Sequence, residues 1–193
     1  NSGSLLTYHQ SFGITERNLT LSGEAYFNVR HDEKLPLNVH VNGASIKDIG
    51  TKFNINAHEN DDVISVSLIE GCAEVRNHLG NGREVATLKE HQIAQIDREE
   101  GRMRVLRQHS LPASEWINGA LIFDDATLLT IANELSRRYG VSVMIDSEAL
   151  RSTRFYLYFV GKDYSLHDIL TSLQSTGKVR CEEDNSRIRF CEP

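Results

Sequence analysis

Between positions 19 and 107 apolar residues recur at every second position, no helix-period segment of useful length appears, and this period constrains the fold more than any other feature. The runs LTL, AYFNV, LNVHV, ASIKD, KFNINA, VISVSLI, CAEVR, EVATL, QIAQI and MRVLR are short, and Gly43, Gly50, Gly71, Gly80, Gly82 and Gly101 punctuate them. Residues two apart share one face of a strand, so in KFNINA the side chains of Phe53, Ile55 and Ala57 point one way and both asparagines the other. HLGNGREV reads as a hairpin loop, because Gly-Asn-Gly supplies the positive φ angles of a tight turn. The expectation is an all-β sandwich or jelly-roll-like domain over residues 1–109.

The pattern changes after QHSLPAS, where Pro112 ends the strands and residues 110–114 read as a linker. Over 115–193 the runs ALIF, VSVMI and RFYLYFV alternate with two helix-period stretches. Leu128, Ile131, Ala132, Leu135 and Tyr139 line the first helix, with Asp124 or Asp125 as its expected cap and Gly140 as its stop. Leu166, Ile169, Leu170 and Leu173 line the second, with Ser165 and Asp168 as a capping box and Gly177 at its end. KVRCEEDNSRIRFC closes the chain as a hairpin turning at Asp184-Asn185. The predicted order is βαβ-βαββ, a small α+β domain.

Composition narrows the function. With 12 basic against 15 acidic residues before position 114 and 9 against 12 from there on, each part is net −3. That balance lacks the basic surplus phosphate neutralisation needs and argues against nucleic-acid binding. No apolar run approaches the ~20 residues that span a bilayer. Cys72, Cys181 and Cys191 form no Cys-x-x-Cys pair. In the hairpin register Cys181 faces Ile188, Cys191 faces Lys178, and the two sulfurs lie on opposite faces, so free thiols are expected, with Cys181 buried.

Chemistry-bearing motifs are sparse. No phosphate-binding loop, nucleophile elbow or His-Glu-x-x-His helix is present. The eight histidines are scattered without metal-ligand spacing, and HENDD (58–62) reads as a solvated turn rather than a calcium loop, so neither metal nor cofactor is expected. Glu24, in LSGEAYFNV, has no catalytic partner within its strand, and no enzymatic activity is expected. RFYLYFV is apolar or aromatic at every position after Arg154. It fits a central strand covered on both faces. It also fits a sheet with one open face, on which Tyr156 and Tyr158, with Arg154 as a rim charge, would bind a partner.

Several segments together resemble the periplasmic region of FecR-type anti-sigma factors. LSGEAYFNV is similar to that family's Gly-Glu-Ala-aromatic-Phe-x-Val strand, carried here by Gly23, Glu24, Tyr26 and Phe27. GASIKDIGTKFNINA is similar to Ile-x-x-x-Gly-Thr-x-Phe-x-Val, with Gly50, Thr51 and Phe53 on the motif. VSLIEGCAEV resembles Val-x-Leu-x-Glu-Gly-x-Val around Gly71, with Cys72 where a basic residue is common. LKEHQIAQID resembles Leu-x-x-Gly-Gln-x-Ala, except that His91 stands in place of the glycine. NSGSLLTYHQSF resembles the family's Asn-x-Gly-Ser-x-Leu-x-Tyr strand. Trp116, Gly119, Leu121, Phe123, Leu128, Ile131, Leu135 and Tyr139 fall on the family's C-terminal module, itself similar to secretin and TonB short N-terminal domains.

The resemblance implies a signal receiver on the periplasmic side of an inner-membrane anti-sigma factor. Its partners would be the periplasmic signalling domain of a TonB-dependent outer-membrane transporter and, through a cytoplasmic region absent from this chain, a sigma factor controlling iron or glycan uptake. It also implies that further β-strands, a membrane anchor and the sigma-binding region lie upstream. Glu24 would then serve the fold by satisfying backbone donors. The competing reading is a carbohydrate-binding β module with an appended α+β domain; a third is a purely structural oligomer.

Overall fold

The computed structural model describes residues 1–80, 83–107, 114–161 and 163–193. The chain divides into two compact units, Asn1–Ser114 and Glu115–Pro193. Most of the expected linker, 110–113, lies outside the described residues, as do Asn81 and Gly82 of the expected Gly-Asn-Gly turn.

The first unit holds ten strands: β1 (Leu5–Tyr8), β2 (Arg17–Asn28), β3 (Leu37–Val41), β4 (Ala44–Asp48), β5 (Lys52–Ala57), β6 (Val63–Glu70), β7 (Cys72–Asn77), β8 (Val85–Lys89), β9 (Gln92–Asp97) and β10 (Met103–Arg107). They form one continuous sheet in the order β10-β9-β6-β5-β2-β3-β4-β7-β8, with β1 paired to β2. The expected all-β sandwich or jelly-roll-like domain is all-β, and its strands run as one continuous sheet. Two sequence runs, LTL and all of AYFNV but its final valine, fall in one strand of 12 residues. Its first half pairs with β1 and β3, and its second half, from Gly23 onward, pairs with β5.

The sheet therefore has two halves joined through β2, and both halves line one core. Leu21, Val39, Ile46, Val75 and Leu88 from one half pack in the same cluster as Phe53, Ile55, Val66, Leu68 and Ile96 from the other. The chain passes between halves at glycines with positive φ: Gly50 between β4 and β5 (φ 147) and Gly71 between β6 and β7 (φ 91). Asp48, buried at 1% exposure, shapes the first corner by accepting from the Gly50 amide (3.0 Å) and the Thr51 hydroxyl (2.5 Å). The side chain of Thr51 sits so close to Gly71 that a Cβ there would lie 2.6 Å from Thr51 Cγ2. His91 takes φ 62 at the β8–β9 turn, the left-handed conformation that favours glycine.

The second unit contains a 3-10 turn (Glu115–Asn118), β11 (Leu121–Thr127), α1 (Leu128–Tyr139), β12 (Ser142–Ile145), α2 (Glu148–Arg151), β13 (Arg154–Phe159), α3 (Leu166–Ser175), β14 (Arg180–Asp184) and β15 (Arg187–Cys191). Its strands make two sheets, β11-β13 and β12-β15-β14. Leu128, Ile131 and Leu135 of α1 and Ile169, Leu170 and Leu173 of α3 pack in one core with Phe123 and Phe155 of the first sheet and Ile188 and Phe190 of the second. The capping box of Ser165 and Asp168 starts α3, and Gly140 ends α1 in the left-handed conformation. The cap of α1 is not an aspartate: Thr127 accepts the Thr130 amide at 3.1 Å.

The closing hairpin turns one residue later than expected. Asp184 pairs with Arg187, and Asn185 supplies the positive φ of 53°. Cys181 consequently faces Phe190, and Cys191 faces Arg180. A one-residue move of a two-residue turn changes each partner by two positions and leaves every side chain on its face. All three cysteines are free, and the buried one is Cys191 rather than Cys181, which is half-buried. Burial, with a smaller contribution from neighbouring Cys191, pushes the Cys181 thiol up to about 12. Alkylation of the native protein at pH 8 is expected to label exposed Cys72 and to spare Cys181, whose thiolate is the reactive form, until denaturant is added. Native labelling of Cys181 at the rate of Cys72, read by peptide mass spectrometry, would contradict this.

Candidate functional site

β13 alternates strictly. Phe155 is buried and Leu157 and Phe159 half-buried on the core face, while Arg154, Tyr156 (60% exposed) and Tyr158 (48%) face outward. Of the two readings of RFYLYFV, the structure therefore has the open face. Val160 continues the outward series at 72% exposure, and Ile122 of β11 lies directly opposite Tyr158.

The outward face carries more than the sequence pattern predicts. β11 pairs antiparallel with β13 from Leu121↔Phe159 to Phe123↔Leu157, then slips, and pairing resumes at Ala126↔Phe155. Asp124 and Asp125 form this bulge, with Asp125 at φ 54. Consecutive residues of a regular strand point to opposite faces, and a bulge breaks that rule. The Asp125 carboxylate accordingly reaches the tyrosine face. Tyr156 donates its hydroxyl to Asp125 Oδ1 at 2.8 Å. Arg154 Nη1 donates to Asp125 O (2.5 Å) and Oδ2 (3.2 Å). Lys178 Nζ donates to the Arg154 carbonyl at 2.9 Å. The bond to Asp125 holds the Tyr156 phenol above the usual tyrosine range, and the neighbouring Asp124 carboxylate does the same for Tyr158.

The other singled-out residues serve packing. Glu24, at 7% exposure, accepts from Asn54 Nδ2 of β5 (2.8 Å) and Asn1 Nδ2 (2.6 Å). These side-chain donors come from distant segments and left no local mark in the strand pattern. Gly23 (φ 109) lets β2 pass over Ser4, whose Oγ accepts the Glu24 amide at 2.9 Å. Phe27 stacks on Phe53 with centroids 4.9 Å apart, Tyr26 is half-buried, and Phe123 lies in the core of the second unit. Trp116 sits half-buried in the 3-10 turn. Among the described residues no three His, Cys, Asp or Glu side chains gather closely enough to hold a metal ion, and no helix is long and apolar enough to cross a membrane.

Comparison with known proteins covers both units. Residues 1–74 match the family model described as FecR protein, and residues 120–190 match the model described as FecR, C-terminal. The fold matches two crystal structures, at 1.65 and 2.50 Å resolution, of a protein from Parabacteroides distasonis ATCC 8503 described as a candidate anti-sigma factor. Each superposes with a TM-score of 0.90 at 24% identity, covering 100% of this chain and 88% of that one. At that identity the likeness is one of fold. No curated protein matches the chain.

Proposed function

From the premise that this chain belongs to the FecR family, a family of signalling regulators, we propose that it receives a signal for a membrane-anchored anti-sigma factor. In this reading residues 115–193 bind the periplasmic signalling domain of a TonB-dependent outer-membrane transporter. Residues 1–109 pass that event towards a membrane anchor, and a cytoplasmic region outside this chain releases or restrains a sigma factor for iron or glycan uptake genes. The observation that carries it is the outward face of β11–β13, which exposes Tyr156 and Tyr158 and on which Asp125, paired with Arg154, holds the Tyr156 hydroxyl. Rigid aromatics supply large contact area at low entropy cost, as interface anchors do. Coupling of only ~1–3 kcal/mol between binding and the signalling state suffices for such a regulator. Trp116 is half-buried in the 3-10 turn, so the carbohydrate reading has no fully exposed tryptophan to rest on.

The test is a calorimetric titration of this chain with the N-terminal signalling domain of the transporter encoded beside it. One-to-one binding at micromolar Kd or tighter is expected, and Tyr156→Ala and Tyr158→Ala should each weaken it about tenfold or more. Absence of binding, repeated with the complete periplasmic region, would overturn the reading.

A further inference from the structure

The 3-10 turn that opens the second unit is fastened by polar contacts rather than by burial. None of the residues Glu115–Asn118 is buried, and Ile117 is 46% exposed. Releasing the turn uncovers no fully buried side chain, so the core of the unit can stay folded while the turn opens.

What fastens it converges on one carbonyl. Gly119, at φ 88, follows the turn and offers its oxygen to two donors, the Tyr164 hydroxyl at 2.6 Å and Arg138 Nη2 at 2.9 Å. Arg138 Nη1 reaches the next carbonyl, that of Ala120, at 3.5 Å. The two donors are tied to each other, because the Arg138 guanidinium lies over the Tyr164 ring, 5.2 Å from its centroid. The Tyr164 ring in turn rests on Phe159, with centroids 5.1 Å apart and planes tilted by 39°.

These contacts join α1, the residue before the α3 cap and the end of β13 to the turn. Phe159 is the last residue of β13, and its neighbours Tyr158 and Val160 stand on the outward face, 48% and 72% exposed. A phenylalanine at 164 would meet Phe159 equally well; what the tyrosine adds is its bond to Gly119. Resting on the receiver reading for what arrives at the outward face, we propose that Tyr164 and Arg138 form a clasp between the end of β13 and the opening turn, through which a partner seated on Tyr158 and Val160 acts on that turn. Tyr164 is a positioning residue in this device, acting through Phe159 on one side and Gly119 on the other.

Amide exchange of Gly119 and Ala120, whose N–H groups donate to Trp116 O (2.9 Å) and Glu115 O (3.2 Å), reads the turn directly in the intact chain by NMR. Tyr164→Phe should speed both amides about tenfold and leave Ile131, Leu135 and Leu173 at wild-type rates. Trp116, the one tryptophan of the chain, should become more open to quenching by acrylamide. His167→Ala, an exposed change on α3, is the control and should alter neither readout. Wild-type exchange in Tyr164→Phe, or an equal rise throughout the unit, would overturn the clasp.

The link to β13 is read by a double-mutant cycle. Phe159→Leu removes the ring on which Tyr164 rests and should speed the same two amides, with thermal melting verifying that each variant is folded. Combined with Tyr164→Phe it should add little, since the bond it disturbs is already gone. Independent effects would detach β13 from the turn and overturn the proposal.

The last arm adds the transporter signalling domain. By fixing the end of β13, its binding should slow Gly119 and Ala120 exchange in the wild type and leave both unmoved in Tyr164→Phe. Binding that leaves the wild-type turn untouched would overturn the proposal and keep the receiver reading. A coupled cycle without any binding would sink the receiver reading and keep the clasp.

Discussion

Alanine at position 50 is expected to destabilise the β unit by about 4 kcal/mol, most of what a marginally stable domain possesses. Two effects add. The backbone at Gly50 has φ 147, a region essentially closed to residues with a Cβ. A Cβ built there would lie 2.4 Å from His31 Cα, which is backbone and cannot rotate aside. Gly13→Ala is the matched control, because Gly13 also has positive φ (78) but nothing within 4 Å of a built Cβ. It should lose only the conformational part, about 1 kcal/mol. Thermal melting followed by far-UV circular dichroism separates the two variants. Equal shifts would mean that the close approach of the β4–β5 corner to His31 is without energetic weight.

Phe53→Ala should cost about 3–5 kcal/mol by leaving a cavity where the two halves of the sheet share their core. Phe53 is fully buried, stacks on Phe27 of β2 and lies opposite Leu68 of β6. Its loss removes contacts on both neighbouring strands, and the surrounding backbone is held by sheet pairing and can collapse only in part. Phe53→Leu keeps most of the volume and should cost less than about 1.5 kcal/mol. Urea titration read by circular dichroism is the measurement, with a lowered midpoint and an unchanged slope. Trp116 belongs to the other unit, so its fluorescence is the wrong reporter here. A midpoint within error of the wild type would show that Phe53 does not organise this core.

Local signals are legible where they concern neighbours in sequence. The alternation in KFNINA put Phe53, Ile55 and Ala57 on one buried face, and the 3–4 spacing from Leu128 to Leu135 gave the buried stripe of α1. Capping by Ser165 and Asp168 was equally visible, since both partners lie within one turn. The alternation of β13 likewise placed Tyr156 and Tyr158 on a common face, but could not say whether that face was covered.

The role of the carboxylates at the same site is not legible in the sequence. Asp124 and Asp125 looked like helix caps because they precede an amphipathic stretch, yet Thr127 stands closer to the first helical turn and takes that role. What frees them is a slip in pairing with β13, some thirty residues away in the chain. The signal available was the Thr three residues before Thr130, which made a second cap unnecessary. The donors to Glu24 were illegible for a similar reason, since Asn54 meets it only once β5 lies beside β2.

The sequence by itself determined the period of most strands and of both long helices, the residues that share each face, and most of the glycine-marked turns. Those properties follow from the repeat of a single element and from the backbone freedom of glycine, and both are local. Only the tertiary structure decided that β2 runs unbroken through Gly23 to join two halves of one sheet, and that a bulge gathers Asp124 and Asp125 beside two tyrosines. Pairing register is chosen by the sum of contacts between distant segments, and a period of two residues is satisfied by many pairings until the whole core is closed.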